Sequence, residues 1–271
     1  NMANAATQLV WFKRDLRIDD HRPLAEAARH GPVLPVYVVE PAYWAQPDMA
    51  ARHQAFIAES LVELHAALAR LGQGLRVEIG ELPDVFARLH RRFGIDAIQG
   101  HEETGTDWTF VRDRRVRAWS RELGIPLHEY PQFGVIRTLT ERDGWARQWE
   151  AFMGEAVVEA PKRLPLVAQS NGPSGCFDGA PAGDERATPR RQPGGLSAGR
   201  ETLASFLQSR GQAYRGGISS PLSAQTAGSR LSPHIAFGTL SLRTIVQANR
   251  RRMAEARDAG QKRWRGSLYQ F

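Results

Sequence analysis

Short unbroken apolar runs alternate along the first half of the chain with longer stretches in which apolar residues return every three or four positions. Leu9-Val10-Trp11-Phe12 and Val33-Leu34-Pro35-Val36-Tyr37-Val38-Val39 are runs of the first kind and read as buried strands, Pro35 falling near the start of the second. Leu75 to Ile79 and Ile95 to Ile98 repeat the strand pattern. The periodic stretches between and after them predict helices over Pro23–His30, Ala51–Leu71, Leu82–Phe93 and Asp107–Leu123. The clearest is Ala51–Leu71, with Phe56, Ile57, Leu61, Leu64, Leu68 and Leu71 along one stripe. The last has Val111, Val116 and Trp119 among its apolar positions. Strand and helix in this alternation predict an α/β fold, a Rossmann-like parallel sheet with helices on both faces. Ligands of such sheets bind outside the carboxyl ends of the strands.

The rhythm stops near Gly154. Prolines at 161, 165, 173, 181, 189 and 193, clustered glycines and few large apolar residues make the stretch from 160 to 200 a long linker over the surface. Beyond it, Thr202–Arg210, Arg230–Phe237 and Leu242–Arg257 have helical character with no strand between them. The expected organisation is an α/β domain over 7–135, a connecting helix and interdomain linker over 136–200, and an all-α region over 201–271.

Composition narrows the class. With 271 residues, 42% hydrophobic, 24% charged and a mean hydropathy of −0.43, the chain reads as globular, neither disordered nor membrane-spanning. Its single cysteine excludes an internal disulfide or a cysteine-based zinc site. The first residues lack the features of a signal peptide, Asn1 before Met2 reads as an expression scar, and a cytoplasmic monomer is expected. The net charge of +7 is unevenly spread: Leu242–Gly266 holds Arg243, Arg250, Arg251, Arg252, Arg257, Lys262, Arg263 and Arg265 against only Glu255 and Asp258. Such a segment suits an anionic partner or is simply a solvated helix face.

Several chemistries are absent from the sequence. It has no phosphate-binding G-x-x-x-x-G-K-[ST] loop and no G-x-S-x-G elbow. Gly72-Gln73-Gly74 lies between helix and strand, the wrong order for a dinucleotide fingerprint, and reads as a helix stop. His101-Glu102-Glu103 has no second histidine at zinc-helix spacing, so no metal is expected, and Cys176 lies in the linker, where a nucleophile is poorly held. Two segments hold more. Lys13-Arg14-Asp15-Leu16-Arg17-Ile18-Asp19-Asp20 packs three bases and three acids behind the first strand, either as mutually paired charges that fix a turn or as an anion site. Gly228-Ser229-Arg230-Leu231-Ser232-Pro233 offers an open backbone, two hydroxyls and a guanidinium, with Ser232 before Pro233 placed like an N-cap. It is either a phosphate or pyrophosphate cradle or an ordinary capped helix with an exposed arginine.

The run Leu9 to Asp20, followed by Pro35-Val36-Tyr37-Val38-Val39-Glu40-Pro41, resembles the opening of the DNA photolyase and cryptochrome family. Ser229 to Ser241 is similar to that family's flavin-phosphate motif and the helix after it. The resemblance covers nearly the whole chain and implies an α/β antenna-type domain followed by the start of a helical FAD-binding domain. It further implies that Gly228, Ser229, Arg230, Leu231 and Ser232 hold the FAD pyrophosphate, Gly228 standing where the family has Thr. Tyr214 would lie near the flavin, and Phe271 would take the place of a flavin-contacting tryptophan. The Asn-Glu pair common in folate-binding members has no match at Trp108-Thr109, so a second, antenna chromophore of folate or deazaflavin type is left unassigned.

By that resemblance the protein is a light-dependent flavoprotein, first of all a deoxyribodipyrimidine photolyase. In such an enzyme, electron transfer from excited reduced FAD splits pyrimidine dimers in damaged DNA, the partner so implied. The alternatives are a cryptochrome photoreceptor without repair activity and a nonenzymatic nucleotide-binding α/β protein. Arg243, Arg250 and Arg257, two helical turns apart, would add attraction for DNA phosphates. The family's helical domain is longer than the stretch after the linker, so the chain reads as roughly the N-terminal half of such a protein. Alone it is expected to lack repair activity.

Overall fold

The computed structural model describes residues 6–134, 144–186 and 188–271. Five strands, β1 (Thr7–Phe12), β2 (Val33–Val39), β3 (Arg76–Ile79), β4 (Ile95–His101) and β5 (Leu127–Tyr130), pair in parallel in the order β3-β2-β1-β4-β5. The order reverses between β1 and β4, which creates a switch point at their carboxyl ends. The helices of this half are α1 (Arg22–His30), α2 (Pro41–Trp44), α3 (Ala51–Leu71), α4 (Asp84–Phe93) and α5 (Asp107–Glu122). β1 and β2 read as solid apolar runs because both of their faces are buried. Val10 and Phe12 of β1, with Val33, Tyr37 and Val39 of β2, point into one core with α1 and α3. Leu9 and Trp11, with Leu34, Val36 and Val38, point into the other with α4 and α5. The expected α/β class, with helices on both faces, is what the chain folds into.

Two local readings change. Val111 of α5 is 44% exposed, and the buried face of that helix is instead Thr109, Arg112, Asp113 and Val116. β5, a short half-exposed Leu-His-Glu-Tyr edge strand, carries no apolar run to betray it.

The rest comprises α6 (Trp145–Gly154), a long connection, and α7 (Leu196–Gln208), a 3-10 turn (Arg210–Ala213), α8 (Tyr214–Gly217), α9 (Pro221–Ala227), α10 (Ser232–Ala236), α11 (Leu242–Asp258) and α12 (Lys262–Gln270). The boundary expected at 135–136 falls at 135–143, outside the described residues. The connection is a strap with specific partners. Leu164 N–H donates to the Leu71 carbonyl, Gln73 bridges Val167 and Ala168, and the Asn171 amide pairs both ways with the backbone of Val77 on edge strand β3. Gly72 ends α3 at φ 116°, and a Cβ there would run into the Leu164 carbonyl oxygen. Cys176 is therefore not loosely held. It is buried with Leu164 in the α1/α3 core, and burial pushes its thiol up to about 11, leaving it unreactive. Among the described residues, no helix is long and apolar enough to cross a membrane.

Candidate functional site

The charged segment after β1 turns inward. Asp15 is fully buried; its Oδ1 accepts the Lys13 backbone N–H at 2.7 Å, and its Oδ2 meets His21 Nε2 at 2.7 Å and His101 Nδ1 at 2.8 Å. Leu24 N–H donates to His21 Nδ1 at 3.1 Å, so that ring carries its proton on Nε2 and gives it to Asp15. Burial pushes the Asp15 carboxyl up, but the two imidazoles outweigh it and hold the group well below the usual carboxylate range. Burial lowers both histidines, His101 to about 3, so each is neutral at ordinary pH. The three side chains place one ligand atom each within 4.8 Å of one another, a spacing a metal could use. Coordination through His21 Nε2 would require its proton to move to Nδ1, where the Leu24 N–H already points. The cluster is a hydrogen-bonded relay that joins the ends of β1 and β4 to the start of α1.

The next residues fasten the helical half to the sheet. Arg17 donates to the carbonyls of Asp19, Asp20 and Gly238 at 2.9–3.0 Å and to Gln132 Oε1 at 2.9 Å. Asp20, at φ 50°, accepts Arg243 Nη1 at 2.8 Å. Gly238, at φ 67°, lies so close that a Cβ would meet the Arg14 carbonyl and the Asp15 Cα. Mutual pairing is not what the segment shows: among the described residues its charged side chains find their side-chain partners outside it, in His21, His101, Arg243, Arg200 and Glu103, and so fix the turn through distant elements. Arg243 is correspondingly removed from any DNA-facing role: it is buried, bonded to the Phe152 carbonyl at 3.0 Å, paired also with Glu155, and lies 4.3 Å over the Phe152 ring. Arg250 is paired with Glu150.

At the carboxyl ends of β1, β2 and β4 lies a cleft lined by Trp11, Lys13, Glu40, Tyr43, Glu103 and Arg112, among others. Arg112 projects into it from the buried face of α5, ion-paired with Glu40, with Glu103 at 2.6 Å and with Asp113 at 2.8 Å. Burial and the neighbouring Glu103 and Glu81 push the Glu40 carboxyl up to about 7 although Arg112 faces it. Spacing alone did not single out Arg112, which reads as one more polar residue on a charged helix.

The serine-rich motif forms a turn between α9 and α10. Gly228 ends α9 with extended φ −66°, ψ 154°, and Arg230 adopts the left-handed φ 60°, uncommon for a non-glycine residue. Ser229 Oγ accepts the Leu231 N–H at 3.4 Å. Arg210, absent from the sequence reading, holds the turn from below by donating to the carbonyls of Gly228 and Ser229, the latter at 3.2 Å. Its guanidinium is lowered by burial and by the neighbouring Arg230 charge. The Arg230 side chain has no hydrogen bond or ion pair among the described residues. Three details depart from expectation. Leu231, not Ser232, occupies the N-cap position of α10; the helix has only five residues; and the Leu231 side chain is fully buried in the core of the helical half, leaving only its backbone for a ligand. Tyr214 and Phe271 come together 5.7 Å apart against Phe206, at 5.5 and 4.6 Å, and Arg210 lies 5.7 Å from the same Phe206 ring. The residues nominated from sequence are thus connected within the helical half through Phe206 and Arg210.

A sequence model of the DNA photolyase family matches residues 8–139. The deoxyribodipyrimidine photo-lyase of Thermus thermophilus is 29% identical over 273 residues, covering 96% of this chain and 57% of that protein. The cryptochrome of Synechocystis sp. PCC6803 superposes with a TM-score of 0.76 at 22% identity, over 94% of this chain and 57% of that one. The archaeal photolyase from Sulfolobus tokodaii, solved with two FAD molecules, superposes with a TM-score of 0.71 at 23% identity, over 89% of this chain and 54% of that one. The chain spans little more than half the length of these relatives. Residues 8–139 thus match the DNA photolyase family, and over nearly its whole length the chain is similar in sequence to photolyases and shares the fold of photolyases and a cryptochrome.

Proposed function

We propose that the protein is a light-dependent flavoprotein whose residues 201–271 begin an FAD-binding domain, and that it acts as a deoxyribodipyrimidine photolyase. The observation that carries this reading is the turn at Gly228–Ser232. Two guanidiniums, Arg210 and Arg230, lie close enough for one to lower the other, beside the Ser229 and Ser232 hydroxyls. A pyrophosphate there would relieve that repulsion and take up the donors of Arg230. These residues fit the diphosphate of FAD, and Tyr214 with Phe271 offers an aromatic wall. When bound, the flavin would supply the light-driven electron transfer. The chain's part is to hold the diphosphate at Ser229, Arg230 and Ser232 and to keep the turn in shape through Arg210.

Blue-light exposure of the full-length gene product with dimer-containing DNA tests the activity. Loss of dimers that depends on both light and flavin is the expected result. A bound, photoreducible flavin with unchanged dimers would instead favour a cryptochrome, the reading suggested by the fold shared with the Synechocystis protein. Absence of any flavin, even after reconstitution with FAD, would leave only a nucleotide-binding α/β protein. Arg230→Ala is expected to weaken FAD retention at least tenfold, read by flavin fluorescence on dilution, while leaving the circular dichroism spectrum unchanged.

A further inference from the structure

Open α/β sheets take their ligands at the carboxyl ends of the strands, beside the switch point. In this chain that place is the cleft over β1, β2 and β4, the position in the α/β half that this rule assigns to a planar chromophore. Its free volume is only about 40 Å³. A flavin, deazaflavin or folate ring system needs a pocket of several hundred cubic ångströms, whereas roughly 30 Å³ is one water molecule's share of the liquid.

The space is filled by this chain's own side chains, and they are locked. The Arg112 guanidinium, with its side chain 6% exposed, lies 4.9 Å from the Trp11 ring and 5.7 Å from the Trp108 ring. Three carboxylates from three elements clamp it: Glu40 at the end of β2, Glu103 after β4, and Asp113 beside it on α5. Arg14 ties down the rim, donating to the Tyr43 hydroxyl at 2.9 Å and pairing with Glu103 at 3.5 Å. Tyr43 in turn packs against Trp44 and Trp108, each at 5.3 Å. Admitting a planar chromophore would require Arg112 to leave, taking the cation from the buried carboxyl groups of Glu40 and Asp113. Two buried polar atoms that line the remaining space, Lys13 Nζ and Glu40 Oε1, lack hydrogen-bond partners among the described residues, which suits a water-sized polar occupant.

The geometry points to Arg112 as a built-in plug: a planar cation beside the Trp11 and Trp108 rings occupies the ligand place at the strand ends, so the α/β half carries no antenna chromophore. Light would then be absorbed by the flavin of the helical half alone. The inference rests on the proposed flavoprotein reading only for which group is excluded, and the test separates the two. Chromophores released from the full-length protein by acid are counted against protein by absorbance, and the FAD-saturated protein is titrated with FMN and, separately, with 5,10-methenyltetrahydrofolate. One FAD per chain and no saturable binding of either probe is the expected result. A second chromophore per chain, or micromolar uptake of either probe, overturns the plug and leaves the flavoprotein reading standing. No flavin at all overturns the flavoprotein reading, and the same titrations then judge the plug by themselves. The paired variant Arg112→Ala/Glu40→Gln, which removes the cation and one of its three carboxylates, is expected to bind FMN at least tenfold more tightly than wild type. A folded variant that binds no better refutes the plug; should it fail to fold, the wild-type count and titrations decide.

Discussion

His101 shows how much a single side chain's meaning depends on its surroundings. In the sequence it begins a failed zinc motif; in the fold it is a neutral donor to Asp15, its pKa lowered to about 3 by burial. In the unfolded chain it takes a proton near pH 6.5. A depressed histidine contributes stability that is complete above about pH 6.5 and is lost as pH falls toward 3, because the unfolded state binds the proton first. His101→Gln is therefore expected to flatten the pH dependence of unfolding between about pH 6.5 and 3, while lowering stability at neutral pH by about 1–3 kcal/mol through loss of the hydrogen bond to Asp15. Urea unfolding at a series of pH values checks both effects; a slope in that window equal to wild type would show that the ring is not buried neutral. Asp15 itself was visible in the sequence only as one charge among six. Its two imidazole partners lie 6 and 86 residues away, and nothing in local spacing joins them.

Among elements, the strands and long helices were the most legible, because period and burial agree there. The five buried positions expected along α3, Phe56, Ile57, Leu61, Leu64 and Leu68, are buried, with Leu71 partly so. The failures lie where an element is held by something other than its own apolar stripe. α5 turns Thr109, Arg112 and Asp113 inward because an ion cluster, not a hydrocarbon surface, receives that face. β5 is an edge strand with polar composition. The strap from 160 to 195 looked like surface linker, yet Asn171 completes the edge of β3 with its side-chain amide. Asn171→Ala is expected to destabilise by about 1–2 kcal/mol, since the Val77 backbone groups lose both partners. Faster amide exchange at Val77, with β1 unaffected, would localise the loss. Gly72→Ala combines a left-handed φ with a clash at the Leu164 carbonyl, so a larger loss, of roughly 1–3 kcal/mol, is expected in thermal melts.

At the level of the whole molecule, the two halves meet through buried charge. Asp20 with Arg243, and Arg17 with the Gly238 carbonyl, join the end of β1 to the start of α11 and the turn after α10. The serine-rich turn is thereby positioned from the sheet, several elements away. Breaking a buried pair by removing one partner costs about 3–5 kcal/mol, more than replacing both. Asp20→Asn and Arg243→Met are each expected to destabilise strongly, and the double variant by less than their sum. They should also split unfolding into two transitions, followed by near-ultraviolet circular dichroism and calorimetry. A single transition with additive effects would mean that the contact does not couple the halves. The basic excess divides in the same way. Five cations, Arg215, Arg250, Arg257, Lys262 and Arg265, line a groove of about 970 Å³ between α11 and α12, whereas Arg243 of the same run is buried inside the protein.

By itself the sequence determined the class of fold, the order of the first four strands and the helices between them, and the resemblance to photolyases, because these rest on local periodicity and on contiguous motifs. The tertiary structure alone decided which charges are structural and which are open to a ligand. That Asp20 meets Arg243, that Asp15 holds two distant histidines, and that Arg112 fills the cleft rather than facing solvent all depend on contacts between elements far apart in the chain. The physical reason is desolvation: a charge on a helix or after a strand reads the same whether it faces water or a buried partner, and only the packing of the surrounding elements decides which of those states is stable.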